Sequence, residues 1–218
     1  MSSHLDALES IAEGLRPMLE AKTAARNAAI NQSRVVIQHS ANAIRATHRR
    51  EWERARERLE LASQQVDVLR EHVRAFPDLY HSGYTQDALK EYTEAAITYA
   101  LVRNEPIPTP EALGVEPGAY LNGLAEAASE LRRQVLDIIR RGHSTEAERL
   151  LEAMDTVYSV LLSFDFHDAI TGGLRRRLDA LRGVLERTRG DVTNSLRQQQ
   201  LQEALEAFER RMTGQDAL

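Results

Sequence analysis

No stretch of the chain alternates apolar and polar residues at period two. Apolar positions recur at spacings of three and four almost throughout, the period of amphipathic helices. The pattern predicts a first long helix over residues 3–48, bent at Pro17, and a second over 51–75 that stops at Phe76-Pro77, where proline resists continuation. "PDLYHSGY" then reads as a loop, and a third helix covers 85–104. The proline-rich "NEPIPTPEALGVEPGAY" reads as a loop with a turn at 110–113. A fourth helix covers 118–141 and ends at Gly142. "HSTEAERL" opens a fifth with a Ser/Thr cap and an early glutamate, running to about residue 165. "FHDAITGG" is the next break, and the last helix runs from Gly173 to about Arg211.

In that last helix Leu174, Leu178, Leu181, Leu185, Thr188, Val192 and Ser195 follow spacings of four and three, a heptad-like seam. Gly183 and Gly190, seven apart, suggest a close helix approach. No internal repeat or low-complexity segment interrupts the chain. The expectation is an all-α fold: one domain spanning residues 1–218, a bundle of about six or seven helices.

Composition supports this. In 218 residues, 42% are hydrophobic, enough for a core, and 28% are charged, which suits helices with wet faces. With no cysteine, disulfides and thiolate metal sites are excluded. No signal-peptide pattern and no membrane-length apolar run is visible, so a soluble cytoplasmic protein is expected. The net charge of −5 argues against a uniformly basic nucleic-acid coat but leaves room for a local basic patch.

The candidate chemistry lies in carboxylates. Residues three apart on a helix sit about 60° apart around its axis, so Asp87, Glu91, Glu94 and Thr98 share one face of the third helix. Glu126, Glu130, Arg133 and Asp137 form a like stripe on the fourth. Two readings stand. Carboxylates belong on the wet faces of amphipathic helices. Alternatively the stripes face each other and hold Mg²⁺ or Mn²⁺, hard ions that take oxygen ligands and promote phosphoryl chemistry. A di-iron bundle would need Glu-x-x-His, which does not occur.

The basic stretches are also ambiguous. In "RREWERARER", Arg50, Arg54 and Arg58 at i+4 spacing form either a salt-bridged wet face or phosphate contacts. "LYHSGY" offers His81 and two tyrosines for loop packing or for base stacking. Arg175, Arg182 and Arg189 at heptad spacing suit a solvent or intersubunit face rather than phosphate contact, which would make affinity fall steeply with salt. Trp52 reads as packing, and His39 and His48 as structural or solvated.

Several segments together resemble the translin family, which comprises translin and translin-associated factor X. They are "LKEYTEA", "PTPEALGVEP" followed by "YLNGLAEAASELRR", "GGLRRRLDALRGVLE", and the "FP" that ends a long helix. The likeness covers residues 20 to 200, through order and spacing more than through any single motif. It implies an all-α subunit that assembles into a hollow, closed oligomer, a homo-octamer in a prokaryotic relative, and binds single-stranded RNA or DNA inside. In catalytic subunits it implies a Mg²⁺-dependent endoribonuclease. The family's catalytic positions fall on Glu91, Glu94, Glu126 and Glu130, with Glu91, Glu94 and Glu126 as metal ligands. Glu126 stands where the family has aspartate, one methylene shorter. The resemblance also favours nucleic-acid contacts at Arg50, Arg54, Arg58 and His81. The alternative is a non-catalytic single-strand-binding protein of the translin type.

Overall fold

The computed structural model describes residues 2–142 and 144–212, with side chains from residue 7 onward. The outer ends of the expected 1–218 domain, and the His143 that opens "HSTEAERL", lie outside the described residues. Among those residues there is no strand. The helices in chain order are α1 (Ser2–His48), α2 (Trp52–Val73), α3 (Pro77–Tyr80), α4 (Gly83–Arg103), α5 (Pro110–Leu113), α6 (Pro117–Ile139), α7 (Thr145–Leu162), α8 (Asp168–Thr171) and α9 (Leu174–Met212). Six long helices carry the all-α fold, and three are single turns.

Local chemistry sets the boundaries. Pro17 lies inside α1, which continues through it. Two segments read as plain loops hold short helices. "PDLYHSGY" contains α3, with Pro77 in its first turn, and its Gly83 and Tyr84 already belong to α4. "FHDAITGG" contains α8, capped by the His167 ring and closed by Gly172 at φ 62°. The backbone of α4 stops at Asn104, which takes a left-handed conformation (φ 56°) as helix-ending residues often do. The Ser144 side chain caps α7 by accepting from the Glu146 amide at 3.1 Å.

The α1–α2 hairpin packs against α4, α4 against α6, and α6 against α7 and α9. One core joins Val66 and Leu69 of α2 to Leu89 and Tyr92 of α4. A second joins Ile97 of α4 to Leu131 of α6, Leu150 and Met154 of α7, and Leu185 of α9. Each such side chain contributes about 1.5–3 kcal/mol when fully buried. The heptad seam of α9 is real: Leu174, Leu181, Leu185, Thr188 and Val192 are buried. Gly183 and Gly190 do not serve a helix crossing. A Cβ on Gly190 would meet nothing within 4 Å, and one on Gly183 would meet only the Arg187 side chain.

The close crossing is instead at Gly123 of α6. A Cβ there would stand 2.8 Å from the Lys90 carbonyl oxygen and 2.8 Å from Thr93 Cβ on α4. This approach brings the two carboxylate-bearing helices together. Two apolar stripes remain exposed. They are Leu8, Ile11, Leu15 and Met18 on α1, and Leu201, Leu205, Phe208 and Met212 on α9. No described helix is long and apolar enough to cross a membrane.

Candidate metal and nucleic-acid site

Because α4 lies between the α1–α2 hairpin and α6, it has little solvent face. Thr93, Ile97 and Thr98 are buried with Ala95 and Tyr99 on the other side. The stripe of Glu91 and Glu94 therefore lies against α6 and is only half-exposed. The stripe is therefore only partly solvated: Asp87 stays exposed, while α4 is covered from both sides at Glu91 and Glu94.

Glu91 and Glu94 meet Glu126 of α6, and one oxygen from each carboxylate lies within 4.8 Å of the others. Two cations enter the group. Lys90 Nζ, almost fully buried, donates to Glu91 Oε1 at 2.9 Å and to Glu126 Oε2. Arg177 of α9 donates from Nε to Glu126 Oε1 at 2.8 Å and from Nη1 to the Gly172 carbonyl at 3.2 Å. Burial pushes the Glu126 carboxyl up, but the bonds from Lys90 and Arg177 outweigh it and hold the group below the usual carboxylate range. Burial likewise opposes the Lys90 charge, and its two glutamates overcome that and raise its pKa.

Glu94 is different. It is half-buried beside Glu91 and Glu126, and among the described residues no donor bonds its carboxylate. Burial first, then repulsion from Glu91 and Glu126, push its pKa up to about 8. Three hard oxygen donors crowded until one retains its proton form a set that a divalent cation fits.

Glu130, one turn further along α6, does not join the three. Its Oε1 lies 2.5 Å from Nε2 of His48, whose Nδ1 is 2.8 Å from Gln134 Nε2. The amide donates to Nδ1, so the ring donates from Nε2 to Glu130. The bond from His48 holds Glu130 below the usual range despite burial. The repulsion of Glu130 still contributes to the raised pKa of Glu94.

The expected nucleic-acid residues are spread apart. Arg50 is not on the α2 face. It sits in the α1–α2 turn at φ 59°, because the chain must reverse between the helices. Arg54 is exposed and paired with Glu51 at 3.1 Å. Arg58 is half-buried beside His39 of α1, with its Nε unpartnered. His81 is exposed and packs edge-on to Tyr80 at 5.0 Å. It lies at the rim of a pocket of about 570 Å³ whose wall includes Lys90 and Arg177. Trp52 packs on Tyr99 and under Arg103, as expected of a structural residue.

No family model matches the chain. The uncharacterized protein MJ0175 of Methanocaldococcus jannaschii is 29% identical over 186 residues, 84% of this chain and 82% of that protein. Among solved structures, AfC3PO in complex with duplex RNA is 35% identical, with a TM-score of 0.74, covering 84% of this chain and 95% of that one. C3PO, component 3 promoter of RISC, is of the translin family. This chain belongs to the translin family. AfC3PO alone superposes with a TM-score of 0.78 at 34% identity, over 84% of this chain and 96% of that one. Apo-NeC3PO, at 22% identity, has a TM-score of 0.70 over 86% and 96% and shares the fold.

The resemblance to the translin family places Glu91 and Glu94 in one segment and Glu126 in another, and the fold brings all three together. The sequence assigns no role to Lys90 or Arg177 and reads His48 as structural or solvated. Lys90 carried one visible signal, a lysine inside an otherwise packed helical run. Arg177 is one of three successive arginines, and periodicity does not say which turns inward. His48 meets Glu130 across 82 positions, a pairing no local pattern reveals.

Proposed function

We propose that this translin-family chain binds RNA within a homo-oligomer, an octamer as in the resemblance, and cleaves it as a Mg²⁺-dependent endoribonuclease, Mn²⁺ substituting. The observation that carries the reading is the convergence of Glu91, Glu94 and Glu126 within 4.8 Å, with Glu94 raised to about 8. These three carboxylates would hold the ion. When bound, a divalent ion would polarise the phosphodiester and lower the pKa of water.

The chain's own residues supply the rest. Lys90 and Arg177 fix the two Glu126 oxygens, so the longer side chain is held in one orientation. Glu130, fixed by His48, orients water at the edge of the cluster. Arg50, Arg54, Arg58 and His81 contact the strand, His81 from the pocket that Lys90 and Arg177 wall. Hydrolysis adds water across one P–O bond and leaves one phosphate end and one hydroxyl end. The exposed stripes on α1 and α9 support assembly, since contiguous apolar surface marks interaction sites. Single-stranded RNA is the substrate proposed; the AfC3PO complex with duplex RNA makes a duplex the necessary comparison.

One feature supports the non-catalytic alternative. With Glu94 protonated, Glu91 and Glu126 are balanced by Lys90 and Arg177, so the cluster can be neutral without an ion. Cleavage of single-stranded and duplex RNA in Mg²⁺, with and without EDTA, separates the two. Loss of cleavage in EDTA and in Glu91→Ala and Glu94→Ala supports the nuclease. Strand binding without cleavage supports the alternative.

A further inference from the structure

The column of side chains that begins at the carboxylates continues along α6 to a second site. Glu126, Glu130 and Gln134 follow at i+4 spacing on one face. Gln134 lies about 12 Å along the axis from Glu126 at 1.5 Å per residue. Gln134 and His48 are buried and form the inner wall of a pocket of about 450 Å³. Four exposed arginines surround it: Arg49 and Arg50 from the turn after α1, and Arg140 and Arg141 from the end of α6.

The turns aim this charge. Arg50 N bonds Thr47 O and Glu51 N bonds Ala46 O, both at 2.9 Å, which closes α1 and fixes Arg50 in its left-handed conformation. Gly142 at φ 119° turns the chain after Arg141, and Ser144 at the pocket's edge caps the start of α7. Thus the positive end of α7 adds to the four guanidinium groups. Two acids offset part of this: Asp137 lines the pocket 4.0 Å from Arg140, and Glu146, bonded by Arg149 at 2.7 Å, also feels the Arg50 charge, which leaves four arginines against two carboxylates. At the inner wall Gln134 Nε2 spends one N–H on His48 and retains a second.

We propose that this pocket binds a phosphomonoester, the terminal phosphate of an RNA strand. An internal phosphodiester carries one charge, whereas a terminal phosphate carries about −1.5 to −2 and three acceptor oxygens. Four guanidinium groups round a wall of buried amide and imidazole match the terminal group better. With its end seated there, a strand running along α6 passes Glu130 and reaches the carboxylates. The site would thereby place the cut a short, fixed distance from a phosphorylated end. This rests on the RNA-binding reading above.

The test is fluorescence anisotropy of the full chain with short RNAs of one sequence, bearing phosphate or hydroxyl at either end. AMP and inorganic phosphate serve as competitors. One phosphorylated end is expected to bind at least about tenfold more tightly than its hydroxyl form, the weight of a charged hydrogen bond. The gain should vanish in Arg49→Ala/Arg141→Ala, two exposed positions whose loss circular dichroism can show to be harmless to the fold. If RNA binds equally with and without terminal phosphate, the pocket assignment is overturned while RNA binding stands. If no RNA binds but AMP binds and the double variant abolishes it, the phosphomonoester site holds with a free mononucleotide as its source. If neither RNA nor AMP nor phosphate binds, both readings fail.

Discussion

Arg177 Nε donates to Glu126 Oε1 at 2.8 Å, tying the last long helix to the carboxylate on α6. A glutamate has more rotamers to lose than an aspartate, so the orientation of Glu126 depends on such partners. Removing a partner of a metal-binding side chain costs about 10–100-fold in metal affinity or activity. Arg177→Ala is therefore expected to weaken Mn²⁺ binding and RNA cleavage by at least about tenfold, measured by isothermal titration and a gel assay. Unchanged affinity would mean that Lys90 alone orients Glu126.

Glu94 predicts a pH dependence. Its folded pKa of about 8 lies above the ordinary 4.5. Below 4.5 both folded and unfolded chains hold the proton. As pH rises toward 8 the unfolded chain gives it up first, so the folded state loses stability across that window. Metal-free Glu94→Gln should melt above the wild type at pH 8.5, with the difference shrinking toward pH 4.5. Mn²⁺ should bind the wild type more tightly as pH rises through this range, because ligation displaces the proton. Parallel melting curves for the two proteins from pH 5 to 9 would contradict the assignment.

Gly123 links fold to site. A methyl group there meets the Lys90 carbonyl at 2.8 Å, a backbone atom that cannot swing aside. Gly123→Ala should push α4 from α6 beside the residues that carry the cluster. A stability loss of about 1–3 kcal/mol is expected from overpacking, with Mn²⁺ affinity falling alongside. Thermal melts and metal titration on the same sample check both. A stable variant with full affinity would show that the close crossing does not set the carboxylate spacing.

Much of the fold is written in local pattern. The α9 seam runs from Leu174 to Val192 with the spacing its burial shows. The ends of α2 and α6 lie within a few residues of their Pro77 and Gly142 signals, and α4 ends just before the proline-rich segment. The acidic stripes were equally plain, but their meeting was not. That depends on Gly123, which has no distinguishing local signal, whereas the conspicuous Gly183 and Gly190 make no helix crossing. Long-range partners were the least legible. Lys90 reaches Glu126 across 36 positions and Arg177 reaches it across 51. Arg50 was misplaced because i+4 spacing ignores the turn that removes it from the α2 face.

The most direct test of the central claim is a crystal structure soaked in Mn²⁺ at pH 8.5, read by anomalous scattering. The expected result is a peak bonded to carboxylate oxygens of Glu91, Glu94 and Glu126, with Arg177 still on Glu126, and no peak in crystals of Glu94→Ala. A clean map at the cluster, with Lys90 and Arg177 satisfying Glu91 and Glu126 as they do without metal, would contradict it.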